Sequence, residues 1–448
     1  MALTGIEIYK LLPQTNCKDC DYPTCLAFAM KLAAKQAELS ACPHVSEESK
    51  AQLAASSEPP VRLVTLSANG HEAKAGNEVV LFRHEKTFYN KPGLFVRVKD
   101  DMSADEIKTK VSPADAYNVV YVGIELEMDG LAVEAVSGDP NAFAAAIRVV
   151  REVSQRPLIL ISKDPAVMTE GLRAIDGEKP LIYAADQDNW EAMAELALQH
   201  ETSLAVFEED LDALAALTQK LKDKGVDDLV LDSGARSLNQ LLATGTQIRR
   251  LALKENFRPL GFPIITFPGD ADEPAMESVL AAQSIAKYAG FIVLDTFTPE
   301  LIYPLLVLRE NIYTDPQKPI QVQPGLYEIN DPKPDDALLV TTNFSITYFS
   351  VANEVESAGQ SAWLLVTDAE GMSVLTAWAA GKFDSERIAK DVKRFEVDDK
   401  VSNKQLVLPG HVAVLSGEVE EELPDWQVRV GPREAVDLPA FIKQVLTA

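Results

Sequence analysis

Four cysteines are the most distinctive chemical feature of this 448-residue sequence, and all of them lie between positions 17 and 42. Their spacing is C-x2-C-x4-C-x16-C, read from the segments NCKDCDYPTC and ACP. Three thiolates in one short loop can surround a small metal cluster, and the fourth can return to it after a helix. We therefore predict one metal site with four ligands, Cys17, Cys20, Cys25 and Cys42.

The segment between the last two cysteines favours an anionic occupant of this site. Residues 26–40, LAFAMKLAAKQAELS, are rich in Ala, Leu and Lys, which predicts an α-helix of about four turns. Its N-terminus follows Cys25 directly, so its free N–H groups and its positive dipole end would face the site. An iron–sulfur cluster held by thiolates carries the matching negative charge.

Zinc and disulfides are the other uses of four cysteines. Disulfides are disfavoured because thiols stay reduced in the cytoplasm, where we expect this protein to reside. Structural zinc usually takes two C-x2-4-C pairs, whereas here one pair is followed by two single cysteines, the last in a Cys-Pro dipeptide. The spacing favours an iron–sulfur cluster and leaves zinc open. We predict a [4Fe–4S] cluster of low potential, because Asp19 and Asp21 disfavour its more negative reduced state.

The overall charge limits the class of partner. The sequence has 42 basic and 68 acidic residues, a formal net charge of −26. Nucleic acid and anionic membranes are therefore disfavoured, because phosphate binding needs clustered Lys and Arg. The sequence contains no apolar run of the roughly 18 residues that a transmembrane helix requires. The N-terminal residues also lack the pattern of a signal peptide, which agrees with a cytoplasmic location.

A long middle section alternates short apolar runs with helix-like stretches. It follows a polar linker that completes a first domain, residues 1–58, and it extends over residues 59–312. Eight runs predict strands: VVLFRHE, NVVYVGIEL, PLILIS, LIYAAD, SLAVFE, DLVLDSG, PIITF and FIVLD. An open doubly wound sheet would show the same alternation, but eight units favour a closed (β/α)8 TIM barrel.

In such a barrel, the loops that follow the strands carry function. The polar residues expected there are Arg83, His84, Glu85, Glu125, Ser162, Lys163, Asp164, Asp186, Glu208, Glu209, Asp232, Ser233, Asp270 and Asp295. His84 is the best single acid–base candidate, although one histidine at a strand end is weak evidence. The set shows no established catalytic spacing, and helix caps or solvated loop positions are the commoner roles of such residues.

The composition changes again near residue 313. Residues 313–334 contain five prolines, which predicts an extended linker. Residues 335–448 then predict a Rossmann-like α/β domain with a four- or five-stranded parallel sheet, whose strands include DALLVTTN, SAWLLVTD, QLVLPG and WQVRVG. The fold class of the whole chain is therefore α/β.

Small and polar residues follow each strand of this last domain, at the edge where open parallel sheets bind ligands. They are Thr341–Asn343, Asp368–Ser373, Pro409–His411 and Gly431–Arg433. Gly371 and Gly410 would let the backbone approach a ligand closely. Because the sequence has neither G-x-G-x-x-G nor G-x-x-x-x-G-K-[ST], a dinucleotide or a P-loop nucleotide is not indicated. Ordinary turns remain an open interpretation of these segments.

The order of cluster domain, barrel and small α/β domain resembles the family of large subunits of the corrinoid iron–sulfur protein, which acts in the acetyl-CoA pathway of carbon fixation. The resemblance extends over the whole chain. Its most specific parts are the cysteine quartet and the segments TTNFSITYF and DAEGMSVLTAWAAGKF.

The resemblance implies a methyl carrier with a B12-type cobamide. The cobalt, as Co(I), would accept a methyl group from methyl-tetrahydrofolate through a separate methyltransferase and deliver it to acetyl-CoA synthase. The [4Fe–4S] cluster at the four cysteines would reactivate Co(II) to Co(I). The implied partners are a small barrel subunit in a heterodimer, the methyltransferase, carbon monoxide dehydrogenase/acetyl-CoA synthase and a low-potential donor such as ferredoxin. Loop matching puts the cobamide contacts at Thr341, Thr342, Thr347, Gly371, Met372, Ser373, Val374, Gly410 and Ala435.

One motif of many B12 domains is absent from the sequence. Those domains supply a cobalt ligand from D-x-H-x-x-G, whereas His411 lies in PGHVAV with no Asp two residues earlier. A base-off cobalt without a protein ligand is therefore implied, and weaker axial donation raises the Co(II)/Co(I) potential. Two alternatives stay open: an iron–sulfur electron-transfer subunit of a multi-subunit oxidoreductase without corrinoid, and a barrel methyltransferase that binds a pterin itself. Whether the chain is an enzyme in its own right also stays open.

Overall fold

The computed structural model describes residues 5–33, 37–46, 49–50, 53, 59–315 and 320–446. The chain divides into two compact units. The first comprises Met1–Asn118 and Glu127–Tyr313, and the second comprises Val119–Leu126 and Thr314–Ala448. A further division of the first unit into domains at 1–58 and 59–312 stays a prediction. Among the described residues, no helix has both the length and the hydropathy that crossing a membrane would require.

The N-terminal segment is a small helical structure around the cysteines. It contains α1 (Gly5–Leu11), α2 (Cys25–Ala33) and a 3-10 turn at Leu39–Ala41. Buried Ile8, Phe28 and Ala29 pack in one apolar cluster with three of the cysteines. The helix predicted over 26–40 is therefore shorter at its C-terminal end, where the 3-10 turn replaces it; residues 34–36 lie outside the described residues.

Eight parallel strands of the first unit close into a barrel. In chain order, the first twelve strands are β1 (Val64–Ala68), β2 (His71–Ala75), β3 (Gly93–Lys99), β4 (Asn118–Tyr121), β5 (Ile124–Glu127), β6 (Gly130–Glu134), β7 (Leu158–Ile161), β8 (Leu181–Ala185), β9 (Ser203–Phe207), β10 (Leu229–Asp232), β11 (Ile264–Thr266) and β12 (Ala289–Leu294). The barrel order is β10-β11-β12-β3-β6-β7-β8-β9. The predicted (β/α)8 barrel is confirmed.

Helices connect the barrel strands. They are α3 (Ala104–Asp115), α4 (Pro140–Val153), α5 (Pro165–Arg173), α6 (Trp190–His200), α7 (Leu211–Asp223), α8 (Leu238–Lys254), α9 (Pro274–Ala286) and α10 (Pro299–Ile312). Local sequence sets their starts. Asp139 and Asp164 accept hydrogen bonds from backbone N–H groups at the beginnings of α4 and α5, and each precedes a proline at the first helical position.

An antiparallel hairpin of β1 and β2 closes one end of the barrel. Val64 and Leu66 of the hairpin share the apolar interior with barrel residues such as Phe95 and Phe291. Ser67 pairs with Lys179, which lies just before β8, so the hairpin covers the amino-terminal end of the strands. The carboxyl ends are therefore at the opposite end, where barrels of this type carry their functional residues.

Two of the eight predicted barrel strands were wrong. Residues 79–85 form an irregular segment that ends in a turn at 83–85, in which the Glu85 carboxylate accepts from the N–H groups of Leu81 and Phe82. The first barrel strand is Gly93–Lys99. The run NVVYVGIEL forms the separate two-stranded sheet β4–β5, and the second barrel strand is Gly130–Glu134. Consequently, Arg83, His84, Glu85 and Glu125 do not follow barrel strands.

The second unit has a five-stranded sheet between two layers of helices. Its strands are β13 (Gly325–Ile329), β14 (Leu338–Thr342), β15 (Ala362–Thr367), β16 (Gln405–Leu408) and β17 (Gln427–Val430), in the order β13-β15-β14-β16-β17. The helices are α11 (Ser345–Ser357), α12 (Val374–Ala379), α13 (Ser385–Arg394), α14 (Val397–Lys400), α15 (Ser416–Glu422) and α16 (Leu438–Phe441). Leu338 and Val340 pack in one apolar layer and Leu339 in the other, because alternate residues of a strand face opposite sides.

The edge strand β13 of this sheet was not predicted. The four predicted strands are parallel, as expected, but β13 joins β15 in antiparallel register, so the sheet is mixed. β13 lies inside the segment 313–334 that was predicted to be a linker. Pro324 and Pro332 flank it, and proline next to a short edge strand costs no ladder hydrogen bond. Residues 316–319 lie outside the described residues.

Candidate functional site

The four cysteines are free thiols in the N-terminal segment. Cys20, Cys25 and Cys42 are buried in one apolar cluster, whereas Cys17 is exposed. No disulfide joins them, which agrees with the sequence-based preference for thiolate ligands. The site therefore has a dry side, formed by three cysteines, and one edge that reaches solvent at Cys17.

The loop that carries the first cysteines has an unusual backbone. Gln14, Asn16, Lys18 and Asp21 all have φ between 49° and 71°, a region that side-chain-bearing residues rarely adopt. Such residues persist where the surrounding structure demands a particular loop shape, often at ligand sites. The Asn16 side chain also accepts a hydrogen bond of 2.8 Å from the N–H of Cys25, which caps α2 and fixes Cys25 against the loop.

A second polar contact joins the two ends of the cysteine segment. Asp19 Oδ2 lies 2.6 Å from His44 Nε2, and Cys17 is the third member of this group. The hydrogen bonds from His44 and Cys17 lower the pKa of Asp19. The contact ties the loop at Cys17–Cys20 to the chain that follows Cys42. Nothing in the cysteine spacing signals this pair.

The carboxyl end of the barrel carries an ion-pair network centred on Arg97. Its buried guanidinium bonds to Asp295 at 2.6 Å and Asp270 at 2.8 Å, and it lies 3.4 Å from Glu134. Burial by itself lowers the pKa of Arg97, but the hydrogen bond and charge of Asp295, with the charges of Glu134 and Asp270, raise it overall. Sequence reasoning identified Asp270 and Asp295 but missed Arg97, because it did not assign the strand that carries Arg97.

A second arginine extends this network. Arg236 bonds to Asp232 at 2.9 Å and to Asp270 at 3.0 Å, and its guanidinium lies 4.8 Å from the centre of the Phe267 ring. The buried Tyr183 hydroxyl donates to Asp232 at 2.8 Å. Both guanidinium groups are thus paired with carboxylates on more than one side, and the carboxylates of the network outnumber the arginines. The arrangement suits a rigid structural layer better than a site that must exchange substrate.

The second unit contains a pocket of about 450 Å³ at the carboxyl ends of β14 and β16. Its walls come from β14, α11, α12 and the chain after β16 and β17. The lining includes Thr341, Ile346, Thr347, Ser350, Val351, Glu354, Ser373, Val374, Leu375, Pro409, His411, Pro432, Arg433, Glu434, Ala435 and Val436. Apolar side chains with a few polar groups are typical of sites for organic ligands.

Five of the nine predicted cobamide contacts line this pocket: Thr341, Thr347, Ser373, Val374 and Ala435. The other four lie beside it. Met372 packs against the apolar layer on one side of the sheet, and Gly371 lies in the loop before Ser373 with φ of 72°. Thr342 is fully buried, and Gly410 lies against the chain at Gly431.

Of the pocket face of α11, only Thr347 was predicted from the sequence; the other lining residues of that face were missed. Ile346, Ser350 and Glu354 line the pocket together, as do Thr347 and Val351. Their spacing of four residues is the helical repeat that places side chains on one face, so the signal was present in the sequence. The chain contributes a helix face as well as strand ends to this pocket.

A buried hydroxyl in the pocket lacks a partner. Thr341 is 1% exposed, and among the described residues no hydrogen-bond partner is found for its Oγ1. The neighbouring Thr342 Oγ1 is in the same state. Burying a hydroxyl without a hydrogen bond costs free energy, and such groups at a pocket are suited to a ligand that accepts or donates one.

Comparison with known proteins agrees with the resemblance described above. Residues 63–442 match the family model of the CO dehydrogenase/acetyl-CoA synthase delta subunit, and residues 12–44 match a model described as a putative Fe–S cluster. Among solved structures, dihydropteroate synthase from Thermus thermophilus is 16% identical, with a TM-score of 0.38, over 55% of this chain and 97% of that chain.

Two full-length relatives are similar to this chain. The corrinoid/iron–sulfur protein large subunit of Moorella thermoacetica is 43% identical over 448 residues, covering 100% of both chains. The acetyl-CoA decarbonylase/synthase complex subunit gamma of Methanopyrus kandleri is 37% identical, over 99% of this chain and 98% of the relative. The chain therefore belongs to the family of corrinoid/iron–sulfur protein large subunits and acetyl-CoA decarbonylase/synthase gamma subunits.

Proposed function

We propose that this chain carries methyl groups on a bound cobamide, taking them from methyl-tetrahydrofolate by way of a separate methyltransferase and giving them to acetyl-CoA synthase. The observation that carries this proposal is the pocket of about 450 Å³ in the second unit, in a chain of the corrinoid/iron–sulfur family. When bound, the cobamide supplies the reduced cobalt that holds the methyl group. The residues of this chain bind and orient it.

The pocket residues fit a ring with apolar faces and amide side chains. Val374, Leu375 and Val436 offer apolar contact, while Ser373 and Arg433 offer hydrogen-bond donors. The unpartnered Thr341 hydroxyl is available to a cofactor amide or phosphate oxygen. These features support Thr341, Thr347, Ser373, Val374 and Ala435 as contacts. Contacts at Thr342, Gly371, Met372 and Gly410, which lie beside the pocket, remain part of the proposal.

We also propose that Cys17, Cys20, Cys25 and Cys42 hold a [4Fe–4S] cluster. Structural zinc usually takes two C-x2-4-C pairs, whereas this chain has one C-x2-C pair followed by two single cysteines. Residues 12–44 also match a model described as a putative Fe–S cluster. Both observations support a cluster, in which each thiolate binds a different iron.

The proposed role of the cysteine site is to reduce inactive Co(II) of the cobamide back to Co(I). A reduced cobalt that loses an electron no longer takes up a methyl group, and a low-potential centre in the same protein can restore it. The exposed edge at Cys17 suits electron entry from an external donor such as a ferredoxin. We also propose a base-off cobalt without a protein ligand, since weaker axial donation eases the reduction of Co(II) to Co(I). His411 lies in the pocket wall, so replacing His411 tests whether the protein supplies a cobalt ligand.

Exposed apolar side chains near the pocket support a partner protein that covers it. Ile346, Val414 and Val436 are each about two-thirds exposed, and Leu375 is 46% exposed. Contiguous exposed apolar surface marks interaction sites. We propose that the small barrel subunit of a heterodimer covers this surface, and that the methyltransferase and carbon monoxide dehydrogenase/acetyl-CoA synthase reach the cofactor in turn.

Filling the pocket tests the proposal. Thr347→Trp places a large side chain on the pocket face of α11, whereas Asn353→Trp adds the same side chain to an exposed position of that helix outside the pocket lining. With the complex purified anaerobically from the native host, T347W should lose most of its cobalt and keep its iron, and N353W should keep both. Full cobalt in T347W would contradict the pocket assignment.

A further inference from the structure

The side chain of Asn343, directly after β14, makes four hydrogen bonds although it lines no part of the pocket. Asn343 is 2% exposed. Its Oδ1 accepts from the N–H groups of Ala369 and Gly371, both at 2.9 Å. Its Nδ2 donates to Gln321 Oε1 at 3.2 Å and to Asp368 Oδ1 at 3.3 Å. The amide therefore uses its full hydrogen-bonding capacity.

Three of the four partners of Asn343 lie in one loop, Asp368–Ser373, which follows β15. Gly371 has φ of 72°, and a Cβ there would lie 2.6 Å from Gln321 Nε2, so the loop is closely fitted to its surroundings. The N–H of Met372 returns to the carbonyl of Ala369 at 3.0 Å. The loop leads directly into Ser373, Val374 and Leu375, which form one wall of the pocket.

The sheet itself does not need these bonds. β14 and β15 already pair in parallel over five residue positions that end at Thr342 and Thr367. The Asn343 side chain acts beyond that ladder, on backbone N–H groups of the loop. Two residues earlier on the same strand, Thr341 lies in the pocket. The end of β14 thus presents one side chain to the pocket and another to the loop that completes it.

We infer that Asn343 is a positioning residue, which holds the loop Asp368–Ser373 in the shape that retains the cobamide. The inference rests on the proposed function of the pocket. A wall that is already fixed loses no conformational freedom when the ligand binds. We call the Asn343 hydrogen bonds to this loop the clamp. Removing the clamp therefore weakens binding, because the loop must then become ordered on binding, although no ligand contact is lost. The effect should therefore appear in ligand retention and in the mobility of the loop.

Three variants of the full chain, in complex with its native partner subunit, test this role. Asn343→Ala removes the clamp. Asn403→Ala is the matched control, because the Asn403 side chain also hydrogen-bonds to two backbone groups. It accepts from the N–H of Gln405 and donates to the carbonyl of Asp335, just before β16 and away from the pocket. The double variant N343D/D368N exchanges the carboxylate and the amide. One carboxylate oxygen at position 343 can still accept from the N–H groups of Ala369 and Gly371, and the amide at position 368 can donate to the other oxygen.

Cobamide dissociation and amide hydrogen exchange are measured on each. In N343A, dissociation should become about tenfold or more faster, since preorganisation is lost, and the amides of Ala369 and Gly371 should exchange faster while those of β15 do not. N403A should match the wild type, and the exchanged pair should restore slow dissociation. Faster loop exchange with unchanged dissociation in N343A, or no rescue by the exchanged pair, would overturn the inference. A wild type without cobalt would overturn the proposed function instead.

Discussion

Gly410 is the point where two loops of the pocket touch, and a single methyl group there should disturb the site. A Cβ on Gly410 would lie 2.6 Å from the carbonyl oxygen of Gly431, 2.8 Å from the carbonyl carbon of Pro432 and 2.9 Å from the nitrogen of Arg433. All three are backbone atoms, so no flexible side chain can move aside. The loops are also joined by a hydrogen bond of 2.9 Å from Gly410 N–H to Pro432 O.

The expected cost follows from overpacking. Forcing an extra methyl into closely packed backbone typically costs about 1–3 kcal/mol, and for a unit of this size that corresponds to a fall in midpoint of roughly 3–10 °C. Because Pro432 and Arg433 line the pocket, separation of the two loops should also weaken cobamide retention. The φ of Gly410 is not in the left-handed region, so the cost comes from the contact alone.

Gly417 is the matched control. It lies near the start of α15, and a Cβ there meets no atom within 4 Å. Alanine in a helix is favoured over glycine by about 0.5–1 kcal/mol, so Gly417→Ala should leave the stability unchanged or slightly raised. Calorimetry and cobalt analysis of G410A and G417A would check this. Equal midpoints and equal cobalt contents in the two variants would refute the reasoning.

Three further predictions concern separate parts of the chain. Burial raises the pKa of Glu78 from 4.5 to about 7, against the opposing charge of Arg249. The folded state therefore binds a proton more tightly than the unfolded chain, and the free energy of unfolding should fall by about 3 kcal/mol between about pH 4.5 and pH 7. Denaturant titrations of E78Q at several pH values should not show this fall. The same fall in E78Q as in the wild type would contradict the raised pKa of Glu78. H411A should leave the EPR spectrum of the Co(II) state unchanged, and an altered spectrum would identify His411 as a cobalt ligand. C42A should lower the iron content below four atoms for each chain but keep cobalt, and four iron atoms retained in C42A would contradict Cys42 as a ligand.

The barrel was predictable because its strands are short apolar runs buried on both faces, and six of the eight were recognised as such. The two errors have physical causes that are visible in particular residues. β4 alternates exposed and half-buried positions, as expected for a small surface hairpin, and its turn at Val122–Gly123 has two residues with positive φ. In the run VVLFRHE, the Glu85 carboxylate takes up backbone N–H groups that a strand would have paired.

The candidate sites were predictable to different extents. A cysteine quartet is a local pattern, so its four positions could be read directly, whereas the Asp19–His44 contact depends on how residues 25 positions apart fold together. The pocket lies at the sheet edge where ligand binding was predicted, since parallel strands align their carboxyl ends there. The clamp at Asn343 depends on a loop that follows a different strand, and no spacing in the sequence indicates it.

Cobalt and iron analysis of the wild-type complex, purified without oxygen from its native host, is the decisive test of the proposed methyl carrier. We expect about four iron atoms and one cobalt atom for each copy of this chain, as a [4Fe–4S] cluster and a cobamide require. Iron without cobalt would refute the methyl carrier and favour an electron-transfer subunit, and pterin binding by the chain without cobalt would favour a barrel methyltransferase.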